Sequence, residues 1–106
     1  MCDHETPALA PVGSLNVPVL AGSRARARQI LAAVDGDLAG WTVHLRCDYV
    51  VAATASFADE IVRTILVDRC AAALSVTSSA PAELVDHLRA RAAACGVADR
   101  LQLDLL

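Results

Sequence analysis

Short apolar runs of period two alternate with longer stretches of helical period along this chain, and that alternation limits the fold more than any other feature. Over residues 12–20 the apolar side chains alternate roughly, with Pro18 inside the run. Proline cannot donate to an interior ladder, so this segment reads as a strand or hairpin at a sheet edge. Gly22-Ser23 then opens a helix. Ser23 is a good N-cap, Ala27, Ile30, Leu31 and Val34 recur on one face, and Gly36 closes the helix. Residues 41–47 alternate as a second strand, and residues 50–53 continue extended toward the next helix. Ser56 starts that helix, which runs to about Arg69 with Phe57/Ala58, Ile61/Val62 and Ile65/Leu66 as a two-row apolar stripe. Residues 71–76 carry no charge and read as a central strand. Ser78, Ser79 and Pro81 mark a third helix, buried through Leu84, Val85, Leu88, Ala92 and Cys95 and ended by Gly96. The tail places Leu101, Leu103 and Leu105 on one face of a last strand.

The expected fold is therefore α/β: a four- to five-stranded mixed sheet with helices, in β-α-β-α-β-α-β order with an N-terminal edge strand. Alternating strands and helices make the sheet largely parallel, with right-handed crossovers. Residues 1–11, with two prolines and mixed polarity, read as a flexible leader, and residues 12–106 as one domain. Apolar residues make up 56% of the chain but aromatics only 3%. The core must then come from Leu, Val, Ile and Ala, where fit between elements matters more than any large anchor. Leu101, Leu103, Leu105 and Leu106 would leave a greasy edge, covered by residues 1–20 or by a second copy in a homodimer.

Several functions are excluded or disfavoured. All nine cationic side chains are Arg, so Schiff-base, P-loop and kinase lysine chemistry is absent. A formal charge of -3 with three aromatics lacks both the charge and the stacking surface of a nucleic-acid binder. No apolar run reaches the length of a membrane span, and the first 22 residues carry no signal-peptide pattern. Cys2, Cys47, Cys70 and Cys95 are far apart and read as reduced thiols in a cytoplasmic protein. No metal site, cofactor motif or catalytic pair is expected, and the chain reads as non-enzymatic.

Two clusters stand out. Ser56-Phe57-Ala58-Asp59 fits a capping pattern, with Ser56 as N-cap and Asp59 reaching back. Beside that reading stands a functional one: Ser56 as a candidate phosphosite at a helix start, where free N–H groups stabilise added negative charge. Arg24, Arg26 and Arg28 crowd the start of the first helix. A solvated face is one reading; an anion-binding site at Gly22, Ser23, Arg24 and Arg28, for a small phosphorylated ligand or nucleotide, is the other.

The segment LRCDYVVAATASFA, residues 45–58, resembles the strand-to-helix signature of STAS domains, the anti-sigma-factor antagonist fold of bacterial partner-switching regulators. Laid against that signature, Ser56 falls at the phospho-accepting Ser, while Thr54 and Ala55 stand where the family has Asp and Ser. The intact Ser56-Phe57-Ala58-Asp59-Glu60 and the Ser23-Arg24-Ala25-Arg26-Ala27-Arg28 helix start are similar to a divergent STAS-like branch. The likeness covers roughly residues 15–106. It implies a non-enzymatic protein-binding regulator, acting on an ATPase-like kinase or sigma-factor control partner. Its contact surface would be the loop and start of helix two: Thr54, Ser56, Asp59, Glu60 and Arg63. With the acidic residue missing at position 54, constitutive binding is expected rather than switching. An oligomerisation module is the remaining alternative.

Overall fold

The computed structural model describes residues 12–103 apart from 35 and 78. In chain order these form β1 (Val12–Asn16), β2 (Leu20–Ala21), α1 (Arg24–Leu31), β3 (Thr42–Arg46), β4 (Ala52–Ala53), α2 (Ala55–Val62), β5 (Ala73–Val76), α3 (Ala82–Ala94) and β6 (Leu101–Leu103). β1, β3, β5 and β6 make a four-stranded sheet in that spatial order, with every strand pairing parallel. One isolated antiparallel bridge joins Ala39 and Ala71. The uncharged β5 is interior and β1 is an edge, as the sequence pattern requires. α2 packs between α1 and α3. Connections between parallel neighbours are right-handed as a rule, and crossovers of one hand along the order β1-β3-β5-β6 put all three helices on one face of the sheet.

The register explains the burial. Gly13, Val43, Leu74 and Leu101 align across the sheet, and so do Leu15, Leu45, Val76 and Leu103. Both rows pack into the core; Leu15, Val43, Leu45, Leu74 and Val76 are buried. The row between them, Ser14, His44, Ser75 and Gln102, faces the other way and is more exposed. A parallel sheet covered on both faces reads as continuous apolar runs; here the alternation leaves one polar face. Gly13 is needed in the core row because a Cβ there would stand 3.2 Å from Val34 Cγ1 and 3.6 Å from the Trp41 ring.

Pro18 does more than mark an edge. The Val17 N–H still donates to Arg46 O at 2.9 Å, and the strand then breaks. Its neighbour breaks too, at the Asp48-Tyr49 turn. Beyond both breaks the chains pair again: Val51 N–H donates to Val19 O at 2.9 Å, and β2 and β4 form a separate two-stranded parallel sheet. The expected single run over residues 12–20 is thus two strands. This second pairing delivers α1 and α2 side by side at the carboxyl end of the sheet.

Three further expectations are corrected. First, α1 ends at Leu31 and passes into a 3-10 turn (Ala32–Val34), so Gly36 does not close it. α2 stays helical to Asp68, near its expected end at Arg69, over Arg63–Asp68 as a wider π-helical stretch closed by Arg69 N–H donating to Thr64 O at 2.9 Å. Arg69 Nη1 donates to Leu31 O and Val34 O, both at 2.9 Å, tying the end of α1 to the end of α2. Secondly, Leu101 and Leu103 pack against the core rather than lying bare. Residues 12–20 do not cover β6, because β1 lies at the opposite edge of the sheet. Leu105, Leu106 and the leader 1–11 lie outside the described residues. Thirdly, Cys47 and Cys95 are free thiols, but Cys70 is disulfide-bonded. No helix among the described residues is long and apolar enough to cross a membrane.

Candidate functional site

The starts of α1 and α2 meet where the two candidate clusters were read, and the structure joins them into one. Ser23 caps α1, its hydroxyl accepting from Arg26 N–H at 3.0 Å. Thr54, not Ser56, caps α2: Thr54 Oγ1 accepts from Phe57 N–H at 3.2 Å. Ser56 is the second residue of the helix and is exposed. The β4 register decides this. Thr54 N–H donates to Ala21 O at 3.0 Å, so Thr54 is the last extended residue and the helix must begin at Ala55.

Asp59 therefore does not reach back to a cap. Asp59 and Glu60 point at α1, where Arg24 Nη1 donates to Asp59 Oδ2 at 2.8 Å and to Glu60 Oε1 at 3.1 Å. Glu60 Oε2 also accepts from Arg28 Nε and from Thr64 Oγ1, each at 3.3 Å. Arg63 Nη1 lies 3.8 Å from Asp59 Oδ2, an i,i+4 ion pair without a hydrogen bond. The Asp59 and Glu60 side chains are only 15% and 17% exposed, whereas Arg28 and Arg63 are 66% and 58% exposed. The carboxylates are thus the floor of the site, and the guanidinium groups are its surface. Burial alone would raise the Glu60 pKa. The bonds from Arg24 and Arg28, the Arg28 charge and the Thr64 hydroxyl outweigh it and hold Glu60 below the usual carboxylate range.

Of the residues expected to meet a partner, Thr54 and Ser56 are exposed and Arg63 is accessible. Asp59 and Glu60 are already engaged within the molecule. Of the expected anion site, Gly22 is exposed with open space around it, the Ser23 hydroxyl is spent on its own helix, and Arg24 is committed to α2. Arg28 instead faces a groove of about 320 Å³ whose walls include Arg63, Thr64 and Asp68.

Sequence reasoning missed an apolar cluster beside these helix starts. Val19, Leu20, Tyr49 and Val51 are 52%, 65%, 78% and 73% exposed. The Val19–Val51 hydrogen bond and the pairing of β2 with β4 bring Val19, Leu20 and Val51 together, and Tyr49 sits in the turn just before. The signal was Pro18, which breaks the edge strand and turns the following apolar residues away from the core. Behind the turn, Ser79 Oγ donates to Asp48 Oδ1 at 3.0 Å and Cys47 N–H donates to Thr77 Oγ1 at 3.0 Å, fixing it to the end of β5. No group of His, Cys, Asp and Glu able to hold a metal is found among the described residues. Comparison of the chain with protein-family models, with curated proteins and with solved structures finds no match.

Proposed function

We propose that this chain is a non-enzymatic, STAS-like regulator of the cytoplasm that works by binding a protein, of ATPase-like kinase or sigma-control type. The docking face is the carboxyl end of the sheet: the Tyr49 turn, Val19, Leu20 and Val51, with Thr54 and Ser56 at the start of α2. One observation carries the reading. Four large apolar side chains, from two paired strand segments and the turn before one of them, are exposed near an exposed helix start, and exposed apolar surface of that kind marks protein interaction sites. Tyr49 supplies the aromatic anchor that such surfaces favour. The STAS-like element is supported by the Ser56-Phe57-Ala58-Asp59-Glu60 segment and by the largely parallel α/β order. The free thiols of Cys47 and Cys95 favour the cytoplasm, and the bonded Cys70 weighs against it.

The test is capture of proteins from the native host by wild type, Tyr49→Ser, Val51→Ser and Ser56→Asp, each checked for folding by circular dichroism. Tyr49→Ser and Val51→Ser should fold normally and lose the partner. Ser56→Asp should lose it as well if added charge meets a desolvated contact. If all folded variants capture every protein that wild type captures, this end of the sheet is not the functional face.

A further inference from the structure

The groove between α1 and α2 is a second, chemically different feature, and it does not depend on the docking face. Arg28 comes from one helix and Arg63 from the other, and Arg24, Glu60, Thr64 and Asp68 complete the lining. Arg28 uses Nε on Glu60, and its two Nη groups have no partner among the described residues. The Arg63 side chain makes only the 3.8 Å approach to Asp59, so its guanidinium N–H donors lack a hydrogen bond among the described residues. Below them, Arg24 is pinned between Asp59 and Glu60. The two carboxylates anchor Arg24 and Arg28 of α1, and leave the Arg28 Nη groups and the Arg63 guanidinium without a hydrogen-bond partner among the described residues. Two guanidinium groups lining one groove can recognise a tetrahedral oxyanion through paired, charge-assisted hydrogen bonds, in a way a single lysine-like charge does not. A volume of about 320 Å³ lies at the small-ligand end of binding sites.

We propose that this groove is a binding site for a phosphate group, carried by a small phosphorylated ligand and held between Arg28 and Arg63. It lies one turn into α1 and about two turns into α2, so it shares Arg28 with the anion site offered by the sequence but not the Gly22-Ser23 turn. The π-helical stretch contributes by placing Arg63, Thr64 and Asp68 together along the groove.

The experiment is calorimetric titration with inorganic phosphate at constant ionic strength, with acetate as the planar-anion control. Wild type, Arg28→Ala, Arg63→Ala, Arg63→Lys and Arg26→Ala are compared. Arg26 is exposed, bonds Gln29 and lies outside the groove, so it reports non-specific charge effects. The expected result is saturable phosphate binding by wild type and Arg26→Ala. Binding should be about tenfold or more weaker in Arg28→Ala and Arg63→Ala, and weakened in Arg63→Lys, which keeps the charge but not the fork. Acetate should bind more weakly than phosphate. No saturable binding by wild type, equal binding by all variants, or acetate binding as tight as phosphate would overturn the assignment. Any of these results leaves the docking face untouched, because Tyr49 and Val51 lie outside the groove.

Discussion

Replacing Thr54 tests whether the β4 register, rather than the local sequence, decides where α2 begins. The Thr54 hydroxyl accepts from Phe57 N–H at 3.2 Å, one of the donors left open at any helix start, and Phe57 itself is fully buried. Thr54→Ala removes that acceptor and should cost roughly 0.5–2 kcal/mol. For a domain of this size each kcal/mol moves the midpoint by about 4–8 °C, so a fall of several degrees is expected. Ser56→Ala should stay within about 0.5 kcal/mol of wild type, because its hydroxyl caps nothing. Ser56→Asp should be neutral or stabilising by about 0.3–1 kcal/mol, since it adds negative charge to the first turn. Thr54→Ser should restore most of the loss. The assay is thermal and urea unfolding of the four variants under one buffer, followed by circular dichroism. If Ser56→Ala destabilises more than Thr54→Ala, the helix starts at Ser56 after all and the register argument fails. The contrast also separates folding from function: an effect of Ser56→Asp on partner capture is then not a folding defect.

Glu60 accepts from Arg24, Arg28 and Thr64, so Glu60→Ala should lose about 1–3 kcal/mol by urea unfolding at pH 7, and Glu60→Arg at least as much; both are read by the shift in midpoint. Because its carboxyl is held below the usual range, Glu60 contributes stability that is full above the ordinary glutamate pKa and disappears as the pH falls through the lowered one. Arg24→Ala should therefore flatten the acid limb of the stability profile, and an unchanged limb would refute the pairing. Burial pushes the Cys47 thiol up to about 11, against the lowering effect of Thr77, so a thiol reagent at pH 8 should label Cys47 only after denaturation. Phe57→Ala empties the largest fully buried site and should cost about 3–5 kcal/mol, measured by chemical unfolding.

The α/β class, the three helices and the strand that lies inside the sheet are legible in the amino-acid sequence. Those follow from local periodicity and from caps that act within a few residues: Ser23 for the start of α1 and Gly96, with φ of +73°, for the end of α3. The sequence also put Arg24, Arg28, Asp59, Glu60 and Arg63 among the residues of interest, because charge near a helix start is visible without a fold. What those residues do depends on contacts made far apart along the chain. Arg24 and Asp59 are 35 positions apart, and no periodicity says that α1 and α2 start side by side. That follows from the parallel pairing of β2 with β4, two residues each, which also fixes Thr54 as the cap. The same pairing turns Val19, Leu20 and Val51 outward, although their apolar character alone would place them in the core. Local chemistry sets which segments are helix or strand; strand register, a long-range property, sets which side chains meet and which are left facing water.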